Sequence, residues 1–360
     1  LLLSLLKGAL VKTLPHSWSL DAERAALAEM QPVGFQLRDS PPACELADFI
    51  TDDSKLFQVS HMGLARVERE QWQLRIDGMV ERPLLLDWAA LQALPFVELT
   101  SVHECFGSPL KPPLEPVVRV GNVVWRGVRL CEVLQLAGVQ PGAAYIWSEG
   151  LDHGQFDQYA ADCYQKDLPL QKALSPEVLL AYALNGEPLA CARGGPVRLV
   201  VPGFFGTNST KWLCRISVQS HRASGTFITL YHERETIDGH EVASPIWEIP
   251  PHAFFTWPHA GASLIAGRVS LRGWAWAGVP IVRLDISTNA GRSWQAADLT
   301  PRREFEWQGF ALECDLPEGP CTLMCRATDA NGAVQPLMSR RNQVDTITLD
   351  VLPPRSQALR

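Results

Sequence analysis

Cys105 stands in HECFGSP, residues 103–109, directly after a β-branched stretch, so its thiol can project from the end of a sheet into a cleft as metal ligand or nucleophile. The plainer reading is a small buried hydrophobe, which is what most free cysteines are. A second group follows in RGGPVRLVVPGFFGTNSTKW, where Arg193, Arg198 and Lys211 supply positive charge and Gly194, Gly195, Gly203 and Gly206 supply bare backbone. Together such groups suit an anion. Taken singly, each reads as a surface cation on a glycine-rich loop.

The elements that must position these residues are legible around them. QWQLRIDG, residues 71–78, alternates polar and apolar as a strand does, and the helical-looking LLDWAALQAL follows the turn ERP. VELTSVHE is a strand leading into Cys105, and RGVRLCEVLQLAGV has apolar residues at helical spacing ending at Gly138. SPEVLLAYALNG predicts a helix with Ser175 as N-cap, Pro176 at its first position and Gly186 beyond its end. VRLVVPG and KWLCRISVQ read as strands, so the first 240 residues mix α and β without a regular βαβ rhythm. Past SPIWEIPP, short alternating runs separated by NAG, PEG and NG turns predict an all-β sandwich, with the boundary between residues 240 and 255.

The 360 residues exceed one ordinary core and imply two domains. Net charge is −7 and no run of Lys or Arg occurs, which argues against nucleic acid as a partner. The nine cysteines are odd in number and scattered, so they form no disulfide framework and point to a reducing compartment, the cytoplasm. Cys321 and Cys325 fall on one face of the alternating CTLMCRATD and read as core. There is no paired-CxxC zinc spacing and no CxxCH for covalent haem. The opening LLLSLLKGALVKTL, broken by Lys7 and Lys12, is too short for the roughly 20 apolar residues of a membrane span. It predicts an amphipathic helical extension over residues 1–32; removal of an export signal, giving a periplasmic protein, is the alternative.

HECFGSP resembles the Glu-Cys-Ala-Gly-Asn-like segment of the sulfite oxidase family of molybdenum enzymes: Glu104, Cys105 and Gly107 match, and Phe106 and Ser108 depart. The resemblance continues in the family's order through QLRIDGMVERP, VVWRGVRLCEVLQLAGV, SEGLD, LLAYALNGEPL, RGGPVRLVVPGFFG and STKW. It extends to GWAWAG, VRLDISTNAGRSWQAADL and RATDANGAVQP, and so covers residues 33–340. It implies an α+β chain, with a mixed α/β molybdenum-cofactor domain over 33–240 and an immunoglobulin-like dimerisation sandwich over 241–355. It further implies a molybdenum–molybdopterin cofactor whose one protein ligand is the Cys105 thiolate. Arg198 and Lys211 match contacts to phosphate and pterin, Ser209 and Thr210 match backbone contacts, and Asp152 matches an acceptor for the pterin ring. Arg193 stands where a histidine is common. Arg38, followed by Asp39, matches the arginine of a Phe-x-x-Arg-Asn-His segment that contacts pterin and substrate, with Asp39 and Ser40 replacing Asn and His. Trp125 matches a pocket tryptophan, and Tyr231 in TLYHERE lies near the family's active-site tyrosine.

The activity implied is oxygen-atom transfer on a small anion, sulfite to sulfate, with electrons leaving to an external acceptor such as a cytochrome because no haem segment is present. Sulfite enzymes of the family carry arginines after the cysteine motif, where this chain has Pro109 and Leu110, so its pocket is expected to be less cationic. Two other readings stand beside this one: a reductase of S-oxides in the same family, and a cofactor-free binding or assembly subunit. Trp274, Trp276, Trp294 and Trp307 offer more aromatic surface than one small core uses, which points to a homodimer face.

Overall fold

The computed structural model describes residues 27–107, 118–230, 232–237, 240–339 and 341–354. The first 26 residues, Ser108, Pro109, Leu110 and Tyr231 lie outside them. The chain divides into two compact units: residues up to Arg38, Phe57–Leu99 and Val124–Trp247 form the first, and Asp39–Leu56, Thr100–Val123 and Glu248 onward form the second. The last change from the first unit to the second is at Trp247. The second unit also takes up two earlier segments that a linear division at 240 assigns to the cofactor domain, and one of them carries Cys105.

In the first unit a five-stranded sheet runs in the order Gln165–Pro169, Tyr145–Gly150, Leu213–Gln219, Gln73–Gly78, Leu84–Asp87, and the Leu213–Gln219 and Gln73–Gly78 strands are parallel. The alternation of QWQLRIDG buries Leu74 and Ile76 in the core. Asp87 caps the short helix Trp88–Gln92 by accepting from the Ala90 amide at 2.8 Å. Helix Leu130–Ala137 buries Leu130, Val133, Leu134 and Ala137, the i, i+3, i+4, i+7 stripe, and ends at Gly138 with φ +72°.

One expectation is overturned. VLLAYALNG is not a helix: Leu179–Leu184 is a strand, paired with Arg198–Val200 on one side and with Val120–Arg129 on the other. Its apolar run is buried almost throughout, a pattern that buried strands and buried helices share. Asn185 and Gly186, at φ +50° and +87°, form the hairpin turn into Glu187–Pro188 rather than a helix end. Of the helical extension expected over residues 1–32, residues 1–26 lie outside the described residues; at its end Glu29–Val33 is a strand paired with Gly63–Arg66.

The second unit is the expected sandwich. One sheet runs His252–Trp257, Gly267–Trp276, Gln308–Leu316, Asp298–Leu299, and the other Leu264–Ile265, Asp345–Leu352, Gly319–Asp329, Ile281–Ser287, Gln295–Ala296. Phe255, Leu271, Ile286, Phe310, Leu323, Cys325 and Val351 fill its core, and Cys321 and Cys325 share the buried face. Trp274, Trp276 and Trp307 are bonded inside this unit, and Trp294 is half-buried under Arg326. Trp274 stacks on Trp307 at 4.9 Å, and their indole N–H groups donate to the carbonyls of Leu46 and Phe49. Trp276 donates to Glu104. These bonds are the physical reason residues 39–56 and the end of the strand before Cys105 belong to the sandwich.

Candidate cofactor site

The cysteine loop lies wholly in the second unit. Strand Phe96–Glu104 ends on a buried carboxylate: Glu104 accepts from Trp276 Nε1 at 2.8 Å and lies 3.3 Å from His252 Nδ1. The Cys105 amide donates to the Arg119 carbonyl at 2.9 Å, and the next two carbonyls accept from guanidinium groups, Phe106 from Arg341 and Gly107 from Arg119, each at 2.8 Å. A Cβ on Gly107 would lie 3.6 Å from Cys105 Sγ and 4.0 Å from Arg119 Nη1, so thiol and guanidinium converge on the same point of the loop.

The cationic residues gather in the first unit. Arg198, on strand Arg198–Val200, is 2% exposed and donates to the carbonyls of Arg193 at 3.0 Å and Ser209 at 2.9 Å. Its guanidinium lies over the ring of Trp125, 5.1 Å from the centroid. Arg193 donates to the Phe57 carbonyl, and Lys211 donates to the Val59 carbonyl, Ser60 Oγ and the Ala192 carbonyl. Gly194, at φ +93°, lets the lysine stem pass, since a Cβ there would lie 2.7 Å from Lys211 Cβ and Cγ. Ser209 Oγ accepts from the Val201 amide and Thr210 Oγ1 bonds Ser148 Oγ, while the Ser209 amide donates to the Gly206 carbonyl and the Thr210 carbonyl accepts from the Leu199 amide. Asp152, on the turn after Tyr145–Gly150, is 4% exposed and packs against Gly150, where a Cβ would meet its carboxylate at 2.4 Å.

The expected residues are not all brought together. Arg193, Arg198, Ser209, Thr210 and Lys211 form one cluster. Arg38 is exposed at the end of strand Gln36–Arg38, opposite Gln58. Asp39, in the other unit, pairs with Arg119 at 2.5 Å. Trp125 is fully buried beneath Arg198 and supports that cation rather than facing a surface a substrate could reach. Sequence reasoning missed the segment Phe57–His61, which takes the donors of Arg193 and Lys211, and the buried Lys166. The only trace they leave in the sequence is the alternation of FQVSH.

The electrostatics of this cluster are those of an anion site. Burial first, and then the charges of Lys211 and Lys166, hold the His61 imidazole down to about 4. Burial holds Lys166 down to about 8, and burial together with Arg193 holds Arg198 down to about 9. Buried cations, with Arg193 lowering Arg198 and the two lysines lowering His61, favour a ligand bearing negative charge. Buried guanidinium and ammonium groups, a carboxylate acceptor at Asp152 and close backbone approach at glycines therefore fit an anionic pterin. A soft thiolate at Cys105 fits molybdenum.

Comparison with known proteins agrees. The family described as oxidoreductase molybdopterin binding domain matches residues 61–227, and the Mo-co oxidoreductase dimerisation domain matches residues 243–348. Sulfite oxidase of Gallus gallus is 32% identical over 327 residues, covering 82% of this chain and 70% of the relative. The mitochondrial sulfite oxidase of Homo sapiens is 32% identical over 329 residues, covering 83% of this chain; the chain spans 59% of that relative's length. Among solved structures, the sulfane dehydrogenase SoxCD of Paracoccus pantotrophus superposes with a TM-score of 0.75 at 25% identity, covering 96% of this chain and 95% of that one. With both domain families matched in order and a relative aligned over most of both lengths, the chain belongs to the sulfite oxidase family of molybdopterin oxidoreductases.

Proposed function

We propose that this chain binds the molybdenum cofactor and catalyses oxygen-atom transfer on a small sulfur oxyanion, sulfite first, passing electrons to an external acceptor. The observation that carries the reading is the gathering of the buried cations Arg193, Arg198 and Lys166 with Lys211, the two lysines facing a histidine held neutral, His61. Bound, the cofactor supplies two-electron oxygen-atom chemistry. The chain's own part is to hold it. Arg198 and Lys211 would neutralise its phosphate, Asp152 would accept from the pterin ring, backbone at Ser209 and Thr210 would line it, and Cys105 would give the thiolate. Nine free cysteines suit a reducing, cytoplasmic setting.

A second reading concerns the substrate. Leu110 stands where sulfite enzymes carry arginine, and SoxCD, a sulfane dehydrogenase, matches nearly the whole of both chains. A less charged, sulfane-type sulfur fits such a pocket.

Metal analysis of the purified chain beside Cys105→Ser, with sulfite-dependent acceptor reduction on the same samples, tests the proposal. The expected result is about one molybdenum per wild-type chain and loss of activity on substitution. Absence of molybdenum from protein made in a host that synthesises the cofactor would overturn it. Metal present with a sulfane substrate preferred over sulfite would select the second reading.

A further inference from the structure

Two of the loop residues after Cys105 depart from the family pattern, and one of them, Phe106, is answered by a specific contact. The Arg341 guanidinium lies over the Phe106 ring, 3.3 Å from its centroid, while donating to the Phe106 carbonyl at 2.8 Å. Arg119 approaches from elsewhere in the same unit. Its Nε pairs with Asp39 at 2.5 Å, its Nη1 donates to the Gly107 carbonyl at 2.8 Å, and its own carbonyl accepts from the Cys105 amide at 2.9 Å. The Cys105 amide, the Phe106 carbonyl and the Gly107 carbonyl are thus each bonded to one of two arginine residues. The two guanidinium bonds, to the Phe106 and Gly107 carbonyls, are charge-assisted and so of the stronger class, and a planar guanidinium fixes direction as well as distance.

We propose that Arg119 and Arg341 are positioning residues for the Cys105 thiolate, a two-arginine clamp that fixes the backbone of residues 105–107 and thereby the direction of Sγ. Asp39 holds Arg119 in this role, in place of the pterin contact expected of it. The catalytic consequence rests on the reading of Cys105 as the metal ligand; the clamp itself does not. Because a thiolate ligand must point within a narrow range to serve the metal, loosening its loop lowers the chemical rate without altering how substrate is bound.

The test uses the full-length chain with Arg119→Met and Arg341→Met, and Arg119→Lys and Arg341→Lys as conservative partners. Hydrogen exchange of the Cys105, Phe106 and Gly107 amides is followed, with those of Gly267–Trp276 as internal reference. Exchange at the loop is expected to rise about tenfold in the Met variants with the reference strand unchanged. In molybdenum-loaded protein kcat is expected to fall about tenfold while KM stays within about twofold, and the visible thiolate-to-molybdenum absorption to weaken. The Lys variants, which keep one donor, should recover part of each effect; where a Met variant also frees the reference strand, its Lys partner decides. Unchanged exchange at the loop overturns the clamp. A raised KM with kcat intact overturns the positioning role and makes the arginine a substrate contact. A wild-type chain that takes up no metal would end the proposed function yet leave the exchange result standing.

Discussion

His61 is half-buried among aromatic rings, stacked on Tyr164 at 5.7 Å and edge-on to Phe156 at 4.7 Å, with two lysines facing it. Its neutral form is therefore the folded form. Since the folded value, about 4, lies below the ordinary 6.5, the unfolded chain takes up this proton first as pH falls. Stability is unaffected by this group above pH 6.5 and is lost between there and pH 4, by up to about 3 kcal/mol in all. Lys166 acts with the same sign higher up: between about 8 and 10.5 the unfolded chain binds the extra proton, so stability rises with pH across that window. Urea unfolding of the cofactor-free chain should show wild type weaker at pH 5 than at pH 7, and His61→Gln should flatten that slope by about 2 kcal/mol. An unchanged slope in the variant would mean that the imidazole is solvated. Should an anion occupy the cluster, His61 would be freed to protonate, and the same acid slope would shrink on loading.

Strand Leu179–Leu184 shows how an element misread in sequence can govern the site. Ala181 lies in register with Arg198 on one neighbour and with Gly127 on the other. A Cβ on Gly127 would fall 2.3 Å from the Leu180 carbonyl, so the three strands reach this spacing only with glycine there. Gly127→Ala should lower stability by about 2–4 kcal/mol and, by displacing the strand that registers Arg198, reduce the molybdenum retained per chain. Calorimetry and metal analysis read the two effects; full metal retention in a destabilised protein would separate strand spacing from cofactor binding. What was legible beforehand follows the same physics. Amphipathic elements such as QWQLRIDG and LCEVLQLA show their period because one face is wet, whereas VLLAYAL, buried on both faces, shows none. Cys105, Arg198 and Lys211 were legible because they sit in distinctive local strings. Phe57–His61, Arg119 and Arg341 were not, because their partners lie far away in sequence, 136 residues between Arg193 and Phe57 and 235 between Arg341 and Phe106. No local pattern encodes such contacts.

At the scale of the molecule, no helix among the described residues is long and apolar enough to cross a membrane. The chain carries a domain described as one for dimerisation. Three of the four tryptophans first suggested as its free face are bonded within the sandwich, which turns attention to other apolar surface. Val282 is 61% exposed, Val334 50%, Leu337 51% and Met338 86%, in two stretches that the Ala330 amide joins by donating to the Pro280 carbonyl at 2.8 Å. Single exposed apolar residues need no explanation, but several in two stretches of one sandwich are candidates for a self-complementary contact. A stable pair buries about 800 Å² per partner, far more than these side chains alone, so they would form the apolar centre of a larger polar-rimmed contact. Light scattering at micromolar concentration should therefore give twice the 39.8 kDa chain mass, and Val282→Glu with Met338→Glu should shift it toward the single chain. Dimers that survive the double substitution would place the contact on another face of the sandwich, and a wild-type monomer would show that this chain has kept the domain without the association.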